Sequence, residues 1–336
     1  MTKIIQTLET IWYQDKKPPL LLIALSRIYG FLFKTRKALF DSGVFSSDKP
    51  EVPVIVVGNL NVGGTGKTPL TLFLANALSK AGKKVGIATR GYKGKKSNSM
   101  PYILDETSDV QDYGDEAVYL SRHSNAIVCV CSQRLKAANL LFERGVDVIL
   151  SDDGLQHFAL KRDLELVVVS SDRAFGNRRL LPAGPLREGL DRLDTIDLIC
   201  LNGKKIDEDL HLENTIGFEI ENKTAKNIHN GQIRSIDAFI NHDVNLIAGI
   251  GDPNVLIQKL IKLGININHI KVADHGAIDS SEIKNLQGTS LFLTPKDLVK
   301  YSKDDLPKET WELIPEMMID QSQEQSMMNK IFEIIQ

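Results

Sequence analysis

The run Asn59-Leu60-Asn61-Val62-Gly63-Gly64-Thr65-Gly66-Lys67-Thr68-Pro69 sets three glycines, a lysine and a hydroxyl at the spacing of a phosphate-binding loop. Backbone N–H groups of such a loop point at phosphate oxygens, the helix that follows adds positive potential, and glycine permits the torsions. In this pattern Lys67 reaches the β- and γ-phosphates and Thr68 ligates Mg2+. The nucleotide-binding set is Asn61, Val62, Gly63, Gly64, Thr65, Gly66, Lys67 and Thr68, with Arg90 added as a candidate anion contact. The strict pattern has a glycine where this chain has Asn61. Asparagine tolerates left-handed torsions better than most residues, so the loop can survive the exchange.

A second group is VDVILSDD, from Val146 to Asp153, an apolar run that ends in two carboxylates. At the end of a parallel strand beside a phosphate loop, an aspartate holds Mg2+ directly or through water. The spacing leaves open whether Asp152 or Asp153 is nearer the metal. Three other positions carry weaker signals. Asp115, in Gly114-Asp115-Glu116-Ala117, precedes a short helical pattern and reads first as an N-cap. Arg90 follows a strand pattern and is either an anion contact or a surface arginine. His275, beside Asp274, stands in a turn, where a lone histidine is ordinarily structural.

These residues need a scaffold. VPVIVVGNL reads as a buried strand, and PLTLFLANALSKAG reads as a helix with a glycine stop. KKVGIAT, AIVCVC, VDVILSDDG, LELVVVS and TIDLICLN are further apolar strand patterns, separated by helical or loop-like stretches. Alternating helices and fully apolar strands imply a parallel sheet covered on both faces. Residues 204–245 are more polar, with two short strands turning near Asn230-Gly231. VNLIAGIGDPNVLIQKLIKLGI and TSLFLTPKDLVKY are strand–turn–helix patterns of a second α/β unit. The expected fold class is α/β: a P-loop parallel-sheet α/β/α domain (46–213), a two-stranded linker (214–244) and a second, smaller α/β domain (245–336).

Residues 1–45 carry an amphipathic helix ahead of that body. Leu21, Leu25, Ile28, Leu32 and Leu39 form one stripe, and Arg27, Gly30, Lys34 and Lys37 form another. The apolar run is too short to span a bilayer and contains Arg27. Through residue 40 there are seven Lys/Arg and two Asp/Glu, a local +5 in a chain of net charge −2. Anionic lipid headgroups attract such a helix, although packing on the protein's own core fits the same pattern. The overall charge balance argues against nucleic acid as a partner. Cys129, Cys131 and Cys200 give no disulfide framework and suit a reducing compartment. No obligate protein partner is evident.

VGNLNVGGTGKTP, TRGY, GDEA, SDDGLQH, LLPAGPLRE, GIGDP, DH and TPKD, in this order, resemble the tetraacyldisaccharide 4′-kinase family of lipid A biosynthesis. The likeness runs from the N-terminal helix to about residue 300. It implies transfer of the γ-phosphate of ATP, with Mg2+, to the 4′-hydroxyl of an acylated disaccharide 1-phosphate lipid. It also implies a peripheral position on the cytoplasmic face of the bacterial inner membrane. By the same resemblance Asp115 is the catalytic base, His275 its partner, Lys67 and Thr68 the phosphate-loop pair, and Asp152 and Asp153 the metal carboxylates. The departures lie in the second unit: Asn254 follows Gly-Asp-Pro where an aromatic is common, and Pro295 replaces a glutamate. A reading from another class is a P-loop NTPase acting as a regulatory or metal-delivery switch. The chain lacks the guanine-reading motif that many such switches carry, because Thr294-Pro295-Lys296-Asp297 does not have its spacing.

Overall fold

The structure, a computed structural model, describes residues 2–14, 16–96, 100–203, 214–272, 276–286 and 288–335. Two helices open the chain, α1 (Thr2–Tyr13) and α2 (Leu20–Asp41). Then follow β1 (Val54–Gly58), α3 (Lys67–Lys80), β2 (Val85–Thr89), β3 (Tyr102–Ile103), α4 (Val110–Tyr113), α5 (Asp115–His123) and β4 (Ile127–Val130). The first half of the fold ends with α6 (Arg134–Glu143), β5 (Val148–Asp152), β6 (Leu164–Ser170) and β7 (Leu198–Asn202). A long strand, β8 (Thr215–Asn227), turns into β9 (Ile233–Ser235). The remainder is β10 (Asp243–Ile247), α7 (Pro253–Lys262), β11 (Asn266–Ile270), α8 (Ser280–Lys284), β12 (Ser290–Leu293), α9 (Pro295–Leu298), β13 (Thr310–Ile319) and α10 (Gln321–Ile335).

The strands form one continuous sheet in the order β11-β10-β12-β13-β8-β7-β6-β1-β5-β2-β4-β3, with β9 beside β8. Pairing from β8 through β4 is parallel, as is pairing from β11 to β13. The join between the halves is antiparallel, β13 on β8, so the first strand of the β8–β9 hairpin also pairs with strands of both halves. The expected turn is present: Gly231 has φ 75° and donates to Asn227 O. Every residue of β1, β2 and β5 is buried, which is why these strands read as unbroken apolar runs.

Helices α3, α5 and α10 contribute to the core on one face, and α6 packs on the other. Cys129 and Cys131 share the core cluster beneath α6, and all three cysteines are free and buried. The last helix departs from the expected grouping of residues 245–336. Met327, Ile331 and Ile335 of α10 join the core of the first half, beside Leu198, Ile216 and Phe218. Gln323 Oε1 accepts from Gly217 N at 2.8 Å and pins the start of the helix to β8. An apolar stripe at four-residue spacing needs a face to cover, and the nearest open one belongs to β7 and β8.

Helix α2 docks by an unexpected side. Gly30, which the helical pattern groups with the cations, is buried against Leu180, and Ser26 donates to Leu180 O at 2.8 Å. Tyr29 OH donates to Arg187 O at 2.7 Å, and Phe33 meets the edge of Phe158. The apolar stripe faces outward instead: Leu21, Leu25, Ile28 and Leu32 are exposed, as are Leu20 and Phe31. Helix α1 lies against the same loop region, with Trp12 Nε1 donating to Pro182 O. Among the described residues, no helix is long and apolar enough to cross a membrane.

Candidate active site

The parallel sheet sets the site at the carboxyl ends of its strands. β1 and β5 are neighbours in register, with Val57 beside Asp152. The loop leaving β1 and the carboxylates ending β5 therefore emerge together, in the crevice where open α/β sheets bind ligands. A cavity of about 1600 Å3 lies there. Gly63, Gly64, Thr65, Gly66, Lys67, Thr68, Val62, Arg90, Asp152 and Asp153 all line it, so most of the expected set converges.

The loop is held open by its glycines and by side-chain ties. Gly63 has φ 108° and Gly66 has φ 99°, torsions that residues with a β-carbon rarely adopt. Asn61 is not left-handed, so no glycine is needed there. It is buried, donates from Nδ2 to Ala174 O at 2.6 Å, and does not line the cavity. Its part is to anchor the loop rather than to meet a ligand. Asn202 Nδ2 donates to Thr65 O at 3.1 Å, and Asn59 Nδ2 donates to Gly63 O at 3.3 Å.

The two aspartates differ sharply. Asp152 is enclosed and accepts from Thr71 Oγ1 at 3.0 Å. Burial, with Glu116 and Asp153 nearby, pushes its carboxyl up to about 7. Asp153 has φ 50°, a left-handed torsion that aspartate tolerates. Its Oδ1 lies 3.5 Å from Lys67 Nζ and accepts from Arg187 Nη1 at 2.8 Å. Burial opposes its ionisation, but Lys67 and Arg187 outweigh burial and hold it well below the usual carboxylate range. Thr68, Asp152 and Asp153 offer hard oxygen donors, and Thr65 Oγ1 in the same loop is buried without a hydrogen-bond partner. No group of three acidic, histidine or cysteine side chains able to hold a metal occurs among the described residues. That donor set fits Mg2+, which takes one or two carboxylates and completes its shell with water and substrate phosphates.

Asp115 is not an N-cap. Gly114 occupies that position with φ 85°, and Asp115 is the first residue of α5. Its side chain is 3% exposed and does not line the cavity; Oδ1 accepts from Glu116 N and Oδ2 lies 3.5 Å from Lys300 Nζ. The neighbouring Glu116 is the carboxylate that lines the cavity, paired with Lys296 at 3.1 Å. His275 lies outside the described residues.

Several site residues escaped the sequence reading. Arg134 is almost fully enclosed, yet it lines the cavity floor and donates to Cys131 O at 2.9 Å and Asp152 O at 3.0 Å. Its one sequence signal was a cation at a helix start, where the macrodipole disfavours it. Arg187 lies in LLPAGPLRE and Gln156 in SDDGLQH, where spacing alone assigns neither a role. Gln156 joins Asn59 O, Glu188 Oε1 and Arg187, which ties the two motifs to β1. Arg173, in an irregular loop without pattern, donates to Gly251 O at 3.0 Å and pairs with Asp252. The turn after β10 is thereby held against the phosphate loop. Burial raises Glu188, and burial with nearby Arg134 pushes His157 of the cavity wall down to about 3.

Comparison with known proteins gives concordant likenesses. The family model for tetraacyldisaccharide-1-P 4′-kinase matches residues 19–333. The tetraacyldisaccharide 4′-kinase of Aliivibrio fischeri is 37% identical over 335 residues, covering 97% of this chain and 99% of that one. The Vibrio cholerae protein of the same name is 35% identical, covering 98% and 97%. Among solved structures, an "apo" form LpxK from Aquifex aeolicus in complex with ATP superposes with a TM-score of 0.78 at 28% identity, covering 94% of this chain and 98% of that one.

Proposed function

The chain belongs to the tetraacyldisaccharide-1-P 4′-kinase family, and from that premise we infer that it is an ATP-dependent lipid kinase. It transfers the γ-phosphate of ATP to the 4′-hydroxyl of tetraacyldisaccharide 1-phosphate, forming lipid IV-A in lipid A biosynthesis. One observation carries the reading to the geometry: a phosphate loop and an apolar helix open into the same cavity. Tyr29, Leu32 and Phe33 of α2 line it together with Gly63–Thr68 and Asp153. A sugar headgroup can sit at the loop while its acyl chains leave along α2. A regulatory NTPase has no use for such a wall.

The triphosphate lies on residues 63–68, where backbone N–H groups and Lys67 neutralise its charge. Thr68, Asp152 and Asp153 would hold Mg2+, which would supply charge neutralisation at the transferred group. Arg187 and Lys67 keep Asp153 ionised for that task. Arg134 fixes the Asp152 backbone from below. Asp115, paired with His275, accepts the hydroxyl proton as the sugar oxygen attacks in line. The burial of Asp115 requires a local opening of the Glu116–Lys296 contact when the headgroup enters. Most of the rate comes from positioning and charge neutralisation.

The outward stripe of α2 enters the acyl boundary of the membrane on its cytoplasmic face, with Arg27 and Lys34 toward anionic headgroups. Docking through Ser26, Gly30 and Tyr29 supports this, because it leaves the stripe uncovered. The test is direct: purified full chain is assayed with ATP, Mg2+ and tetraacyldisaccharide 1-phosphate. A 4′-phosphorylated product is expected, and its absence from folded protein overturns the assignment.

A further inference from the structure

Lys300 follows α9, in the segment that starts at Thr294-Pro295-Lys296-Asp297. Its side chain is only 5% exposed, and an ammonium is rarely enclosed unless its charge is matched. Three acceptors surround it: Asp297 Oδ1 at 2.8 Å, Gly276 O at 3.1 Å and Asp115 Oδ2 at 3.5 Å. Asp297 is fixed in turn, with Oδ2 accepting from Thr294 Oγ1 at 2.6 Å and from Gly249 N at 2.8 Å. The first glycine of Gly249-Ile250-Gly251 makes the room. A β-carbon on Gly249 would lie 2.7 Å from Asp297 Oδ1 and 3.3 Å from Lys300 Nζ. The cluster therefore ties the β10 turn, α9 and the segment at 276 in the second half to the head of α5 in the first.

We propose that Lys300 is a positioning residue for phosphoryl transfer. Its ammonium holds the Asp115 carboxylate, and is itself fixed by Asp297 Oδ1 and Gly276 O. The base at the head of α5 is thereby held from the second half of the fold by one buried cation. A lysine suits the task because its three donors can diverge toward three acceptors, whereas arginine offers a planar fork. The proposal rests on the reading of Asp115 as the base.

The full chain is assayed with ATP, Mg2+ and tetraacyldisaccharide 1-phosphate, with unfolding followed in parallel. Lys300→Met leaves two buried carboxylates unmatched and is expected to lose stability as well as turnover. Asp297→Asn/Lys300→Met removes one charge of each sign and separates the two effects. Its Tm is expected to recover toward that of the parent, while kcat stays about 30-fold or more lower with KM for ATP nearly unchanged. Lys300→Arg is expected to regain about a tenth of parental kcat. Parental kcat in the double variant overturns the proposal, as does a loss confined to KM for ATP. A stable Lys300→Arg with no more activity than Lys300→Met also overturns it. Asp115→Asn distinguishes the two readings. If it turns over normally, the base assignment fails and this proposal with it; if it is inactive while the double variant is active, only the role of Lys300 fails.

Discussion

Gly251 and Gly64 meet backbone to backbone across the two halves of the fold. A β-carbon on Gly251 would lie 2.5 Å from Gly64 N and 2.6 Å from Gly64 Cα. Neither glycine has a positive φ, so the requirement is for space rather than torsion. The turn after β10 therefore rests directly on the loop that holds phosphate. Gly251→Ala is expected to push the two apart and raise KM for ATP about tenfold, or about 1.4 kcal/mol, with little change in Tm. Nucleotide titration and thermal unfolding check it, and unchanged ATP affinity would show that the contact is incidental.

How much of this was legible follows from the range of each interaction. The phosphate loop and the β5 carboxylates were readable because loop, lysine and aspartates are local patterns that the parallel register brings together without further information. Asn61 was misread in detail: its amide serves Ala174, a partner more than a hundred residues away that no spacing reveals. Arg134, Arg173 and Lys300 were invisible for the same reason. Each is a single cation with at least one acceptor on a different element or loop, which its own sequence neighbourhood does not reveal. The α2 pattern gave two stripes but not which one docks, because the decision lies with Leu180 and Arg187 on the receiving loop. The return of α10 to the first half likewise depends on an open face, not on its own sequence.

Arg134 carries the floor of the site. Arg134→Met removes donors from two carbonyl oxygens and is expected to cost about 2–4 kcal/mol, read as a lower denaturation midpoint. Arg134→Lys is expected to recover little, because an ammonium lacks the planar fork that spans Cys131 O and Asp152 O. Full stability in the lysine variant would mean that charge alone, not geometry, matters at this position.

The outward stripe of α2 separates membrane binding from folding. Leu25, Ile28 and Phe31 are exposed, so replacing all three by glutamine should leave Tm nearly unchanged. Each side chain withdrawn from an acyl boundary forfeits about 1.5–3 kcal/mol, so cosedimentation with anionic vesicles should fall about 100-fold or more. Gly30→Leu is the complementary variant, because its side chain meets Leu180 and undocks the helix. Undiminished vesicle binding by the triple variant would place the membrane-facing surface elsewhere.

His157 makes stability depend on pH with a defined sign. Burial, reinforced by Arg134, pushes its folded-state value down to about 3, while the unfolded chain titrates near the ordinary value of 6.5. Between these values the unfolded state binds a proton that the native state refuses. The folded protein therefore loses stability as pH falls below about 6.5, by up to about 2 kcal/mol at pH 5, and the loss levels off near pH 3. His157→Asn cannot take up that proton in either state. Urea unfolding of both proteins at pH 7 and pH 5 isolates this contribution, because the other titrating groups are common to the pair. The variant is expected to lose less stability between the two pH values than the parent. An equal loss in both would mean that His157 is protonated as readily in the folded protein as in the unfolded chain.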